Sequence, residues 1–125
     1  MIAEDRLKEA GWAAAELLPD TECYDFAEGW EAYRVRGKWF MLFTEHQGRK
    51  MLLLKAPPED VDALRKGYAD IGPAYHMNKK HWFSLYAGPS VDECTVVELV
   101  QESYAAVVQS MPKKKQPLGW REAIR

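Results

Sequence analysis

Between Trp30 and Lys55 short apolar and aromatic stretches alternate with two glycine turns, a pattern that constrains this stretch to a β-meander. Trp30 to Arg36, Lys38 to Thr44 and Arg49 to Lys55 read as three strands. Gly37-Lys38 fits a two-residue hairpin turn with glycine first, and His46-Gln47-Gly48 marks the next reversal. A further extended stretch, Trp82 to Tyr86, runs up to Gly88-Pro89.

Helical periodicity flanks the meander. From about Glu4 to Leu18, residues Leu7, Ala10, Ala14, Leu17 and Leu18 recur on one face, and Pro19 lies just beyond. Gly11 weakens this helix. Pro57-Pro58-Glu59-Asp60 opens a second helix with the stripe Val61, Leu64, Tyr68. Ser90-Val91-Asp92-Glu93 fits a capping box for a third, whose apolar face runs through Val97, Val100, Tyr104, Val107, Val108 and Met111 to Pro112. The order predicts an α+β fold: three helices packed on one face of a mainly antiparallel sheet. Residues 1–112 form one domain, and residues 113–125 read as a loosely held basic tail.

Composition excludes several classes. With 47% hydrophobic and 29% charged residues, the 125-residue chain is globular in type and long enough to bury a core without disulfides. Its apolar run from Trp39 to Phe43, which no other exceeds, is far short of a membrane span. The acidic, periodic N-terminus lacks the features of a signal peptide, so a cytoplasmic location is expected, with no membrane partner. Cys23 and Cys94 lie far apart, too few for a zinc site, and Cys94 falls on the apolar helical face, where a small buried thiol is expected.

The net charge of −2 conceals segregation. Residues 1–29 hold eight acids against two bases, and residues 90–111 hold four acids and no lysine or arginine. The meander, 30–55, holds six bases against two acids, and the segment 112–125 holds five against one. Acidic helices and basic hairpins give the molecule opposite poles, and local potential, not net charge, governs the encounter with an anionic partner. With Gly37-Lys38 as the turn, alternation puts Tyr33, Val35, Phe40 and Leu42 on a core face and Arg34, Arg36, Trp39, Met41 and Phe43 on the other. Cations interleaved with rings can hold a phosphate backbone while a ring stacks on a base. A covering strand, the tail or a second chain would equally suit such a face.

The stretch from Pro73 to Trp82 concentrates polar side chains. His76 and His81, without nearby Cys, Asp or Glu, make a poor metal site, and a structural role is favoured. Asn78 suits a tight left-handed turn, Lys79, Lys80 and His81 offer phosphate donors, and Trp82 is expected to anchor the following strand in the core. No nucleophile–base pair, glycine-rich phosphate loop or paired-carboxylate signature is present, so no enzyme and no cofactor are expected.

His76-Met77-Asn78-Lys79-Lys80-His81-Trp82 resembles the His-x-Asn-Lys-x-His-Trp signature of the MmcQ/YjbR-like family of small bacterial proteins. The Leu18-Pro19 helix end, the hairpin from Val35 to Phe40, the passage from Leu53 to Pro57-Pro58-Glu59, and Ser103-Tyr104 follow the family's order. Asp25-Phe26-Ala27-Glu28-Gly29 departs from the family's Pro-Phe-Gly-like approach to the first strand, and the basic tail lies outside the resemblance. The resemblance implies a CyaY-like, double-wing sheet with protruding hairpins, and DNA binding is the role it suggests.

Residues and resemblance together point to a nucleic-acid-binding module of low sequence specificity. Arg34, Arg36, Lys38, Arg49, Lys50, Lys79, Lys80 and His81 would hold phosphates beside the Trp39 ring. That reading requires the cations to gather at one end of the molecule without carboxylate partners. A protein-interaction or regulatory module, monomeric or homodimeric, is the alternative, since aromatic and arginine enrichment also marks protein interfaces. Frataxin-like metal handling through Glu4, Asp5, Glu9, Glu16, Asp20 and Glu22 is a third, implied only by the CyaY-like resemblance.

Overall fold

Six strands form one antiparallel sheet in the order β1-β2-β3-β4-β6-β5. The computed structural model describes residues 1–124. Along the chain run α1 (Glu4–Glu16), β1 (Thr21–Ala27), β2 (Trp30–Val35), β3 (Lys38–His46), β4 (Arg49–Lys55), α2 (Pro58–Gly67), β5 (Ile71–Pro73), β6 (Trp82–Tyr86), α3 (Glu93–Gln109), a 3-10 turn (Lys113–Lys115) and α4 (Trp120–Ala123). Two strands, β1 and β5, escape the periodicity reading. β1 is an edge strand with polar and small residues between its rings, and β5 is only three residues long.

One face of the sheet carries the main core. Leu7, Ala10 and Ala14 of α1 and Val96, Val100, Tyr104 and Val107 of α3 pack against Val35, Phe40, Leu52, Leu54, Phe83 and Leu85. Gly11 lies where α1 meets the sheet: a Cβ there would stand 2.9 Å from Leu52 Cδ1 and 3.3 Å from Met41 Sδ. The residue that weakens the helix is thus the one that lets it approach. Ser103, fully buried on α3, ties helix to sheet by donating to the Phe40 carbonyl (2.5 Å) and accepting from the Lys55 amide (2.8 Å).

Five local expectations are corrected. The first turn is Arg36-Gly37, not Gly37-Lys38: Val35 pairs with Lys38, and both turn residues have positive φ (51° and 84°), a type I′ turn. Next, β3 carries a bulge. Arg34 opposes Trp39 but Tyr33 opposes Met41, so Phe40 is an extra residue. The insertion reverses parity beyond it, sending Met41 and Phe43 to the helix side and Leu42 to the other. Leu17 is 81% exposed because α1 ends one residue earlier. The α3 N-cap is Asp92, which accepts from the Thr95 amide at 2.8 Å, while Ser90 is engaged with Asp70. Cys94, in the exposed first turn of α3, is not buried, and Cys23 is exposed as well.

Residues 113–124 fold back onto the body instead of trailing from it. Trp120, 5% exposed, joins the helix-side core. Its indole donates to Gln116 Oε1 at 3.1 Å, and Gln116 donates to the Met111 carbonyl at 3.1 Å. Arg125, the last residue of the expected tail, lies outside the described residues.

Candidate nucleic-acid interface

Strand register decides which of the expected site residues meet. Lys38 begins β3, Lys55 ends β4 opposite Trp82, and the loop carrying Lys79, Lys80 and His81 enters β6 at that same end. The Asn78 side chain shapes this loop by accepting from the Lys80 amide (2.8 Å) and the His81 amide (3.1 Å). The left-handed conformation expected of Asn78 falls instead on His76, at φ 60°. The His81 carbonyl accepts from the Ala56 amide, fixing the loop to the end of β4 with Lys79, Lys80 and His81 exposed. Arg49 and Lys50 lie at the opposite end, where Arg49 pairs with His46 across the strands and covers the Tyr86 ring at 3.7 Å. The expected cluster is therefore divided between two ends of the sheet.

Carboxylates of the first strand and its approach answer the arginines of the hairpin. Glu22 on β1 pairs with Arg34, whose guanidinium lies 4.1 Å from the Tyr24 ring centre. The Glu22 hydrogen bond raises the Arg34 pKa above its ordinary value. Asp20 stands 3.5 Å from Arg36 in a pair about half exposed on both sides, a geometry in which ion pairs contribute ~0–1 kcal/mol. Arg34 is neutralised in place and Arg36 loosely so, which overturns the expectation of an unanswered arginine hairpin. By contrast, Lys38, Lys55, Lys79 and Lys80 have no carboxylate within 4.0 Å among the described residues.

Away from the helices, the sheet carries a second, smaller core of Ala32, Leu42, Met51, Leu53, Ala74 and Trp82. Around it stand half-buried rings: Tyr24 and Phe26 of β1, Trp30 of β2, Trp39 of β3 and Tyr75 from the β5–β6 loop. Trp39 donates its indole N–H to the Tyr24 hydroxyl at 2.7 Å and lies 4.7 Å from Phe26. Tyr75 is parallel to Trp30 at 6.0 Å, packs on His46 at 4.5 Å, and shares a 3.0 Å hydrogen bond with His46 Nδ1. A groove at the β1–β2 turn is lined by Asp25, Glu31 and Glu45, but Asp25 faces Glu31 and Glu31 faces Phe43 across the strands, so these acids gather on the helix side, where Glu31 pairs with Lys8, and not on the face of Trp39. Tyr24, Phe26, Trp30 and Tyr75 did not figure in the sequence-based site. The two-residue spacing of Tyr24 and Phe26 before the Gly29 turn was the available signal.

Among the described residues, no three His, Cys, Asp or Glu side chains converge to hold a metal ion. The acids of α1 are partly engaged: Glu9 pairs with Arg6, which also binds Glu93 of α3.

A family model described as YjbR matches residues 16–106, a span holding all six strands and the signature loop. The chain belongs to the YjbR family. Within it, the uncharacterised YbdF of Escherichia coli O157:H7 is 35% identical over 111 residues, covering 88% of this chain and 91% of that protein. The uncharacterised YjbR of Escherichia coli K12 is 31% identical over 91 residues, covering 71% and 77%. The fold is shared with a crystal structure of a Deinococcus radiodurans protein of domain family DUF419 (TM-score 0.76, 24% identity, 89% of this chain and 83% of that one). A Pseudomonas syringae protein also shares it (TM-score 0.64, 24% identity, covering 85% and 98%). The YjbR match ends before the Lys113–Lys115 turn, so that basic segment lies outside the matched residues. Among the described residues no helix is long and apolar enough to cross a membrane.

Proposed function

We propose that this YjbR-family protein is a non-catalytic module that binds single-stranded nucleic acid on the outer face of its sheet. One observation carries the reading: the half-buried Trp39 ring lies on a face whose basic end holds the unpaired lysines Lys55, Lys79 and Lys80. Unstacked bases have free π-faces for Trp39 and its neighbours, while the backbone runs along the lysines. A duplex keeps its bases stacked inside and would rely on the hairpin arginines, which Glu22 and Asp20 already answer. Nothing on this face reads base edges, so specificity is low.

The test is fluorescence anisotropy with a labelled single-stranded oligonucleotide and with its duplex, at low and moderate salt. The single strand binds more tightly, with a log–log salt slope of about −2 to −3 for three or four lysine contacts at ~0.7 each. Trp39→Leu keeps apolar bulk but removes the stacking surface, and weakens binding by ~1–3 kcal/mol. Equal affinity for the duplex, or no saturable change with either ligand at micromolar protein, would defeat the reading. A stable homodimer in light scattering that shields Trp39 from quenchers would favour a protein-interaction face instead.

A further inference from the structure

We propose that the cavity between the β2–β3 turn and the segment after α3 is a second binding site, for a phosphate-bearing anion held by Arg36, Lys38 and Lys115. These side chains line one cavity of about 530 Å³ whose remaining wall is Met111 and Pro112. That volume lies within the range of about 300–1,000 Å³ usual for small-ligand sites. The site is distinct from the stacking face. Trp39 and the signature-loop lysines do not line it.

The scaffold holds these cations together at an electrostatic cost. A type I′ turn fixes Arg36 at φ 51° and sets Lys38 at the first residue of β3. On the other wall, the Lys115 amide donates to the Pro112 carbonyl at 2.8 Å and the Gln116 amide to the Lys113 carbonyl at 3.2 Å. The next residue, Gln116, is clamped between the Met111 carbonyl and the buried Trp120 indole. A freely moving tail would carry Lys115 away from two like charges, but the Trp120 anchor keeps it there. Lys38 and Lys115 have no carboxylate partner among the described residues, and Asp20 answers Arg36 only across 3.5 Å of exposed surface. Like charges gathered by a rigid frame leave a concentrated positive potential that an anion relieves. Arginine supplies a planar two-pronged donor and the lysines supply point charges, a set that suits a multiply charged phosphate group better than a lone carboxylate. The phosphate could belong to a free oligophosphate or to a nucleic-acid strand.

Amide chemical shifts during titration with tripolyphosphate test the site. Saturable shifts are expected at Arg36, Gly37, Lys38 and residues 113–116. Lys38→Ala combined with Lys115→Ala should weaken binding at least tenfold, while Lys79→Ala with Lys80→Ala leaves it unchanged. The Trp120 indole N–H resonance reports in every variant whether the segment is still docked. Non-saturating shifts spread over all lysines, or a Lys38/Lys115 double variant that binds like the parent with Trp120 in place, would overturn the proposal. A single-stranded oligonucleotide then identifies the source. If it moves the same amides and tripolyphosphate displaces it, the phosphate is a strand's; if these amides stay still, the site takes free oligophosphate. Because the Lys79/Lys80 variant impairs only the stacking face, failure of one site is distinguishable from failure of the other.

Discussion

The two faces of the sheet differ in how they are closed. On the helix side α1, α3 and α4 seal a core in which Phe40, Leu52, Leu54, Leu85 and Tyr104 have no exposed surface. Among the described residues the opposite side is roofed by the β5–β6 loop, and its rings Tyr24, Phe26, Trp30, Trp39 and Tyr75 are half-buried. Burial on the helix side pushes the Tyr104 hydroxyl up to about 12, with the Asp20 charge adding to the effect, and that hydroxyl donates to the Pro19 carbonyl at 2.8 Å. Both faces are apolar, but only one is finished. The helices complete the packing on their side, and the rings opposite keep part of their surface open.

Substitutions break or sharpen that contrast. Phe40→Ala opens a cavity in the sealed core and should cost about 3–5 kcal/mol in urea unfolding. Ser103→Ala leaves the Lys55 amide and Phe40 carbonyl unpaired under α3, for about 1–3 kcal/mol by the same measurement. Trp30→Ala, on the half-closed face, should cost only about 1–2 kcal/mol. If Trp30→Ala proved as damaging as Phe40→Ala, the outer rings would belong to a closed core and not to a half-open layer around it.

Acid sensitivity sharpens the comparison further, with a smaller effect. The Ser90 hydroxyl and amide hold the Asp70 carboxyl below its ordinary value, and the Thr95 amide and hydroxyl do the same for Asp92. Both depressed values contribute stability that is present above the ordinary carboxylate pKa of ~3.9 and is lost as pH falls through the folded-state values. The urea midpoint should therefore decline below about pH 4. In Asp70→Asn the decline should be shallower, because one of the two groups no longer titrates.

The sequence was informative wherever a local pattern repeated. Val100, Tyr104, Val107 and Val108 mark the buried side of α3, and the glycines at 37 and 48 mark the two turns inside the meander. Glu22 and Asp25 hid β1: as an edge strand it needs no apolar alternation beyond Tyr24 and Phe26, because only those two side chains meet the outer rings. Missing β1 had an electrostatic consequence. The carboxylates that answer Arg34 and Arg36 come from this strand and the turn before it, so the hairpin looked more positive in one dimension than it is in three. The fold-back of residues 113–124 was equally hidden, since one tryptophan in a lysine-rich stretch has no period to announce it. The loop from His76 to Trp82 was legible as a motif, but the rings it covers became visible only with the tertiary structure.

The extra residue at Phe40 makes the hairpin's reading frame part of the fold. From Met41 onward, each side chain of β3 owes its side of the sheet to that one insertion, so deleting a single residue there would exchange the contents of the sealed and half-open layers along the strand. Length changes between Trp39 and His46 are thus tolerable only in twos. The outer ring cluster and the helix-side core inherit their separation from a one-residue count.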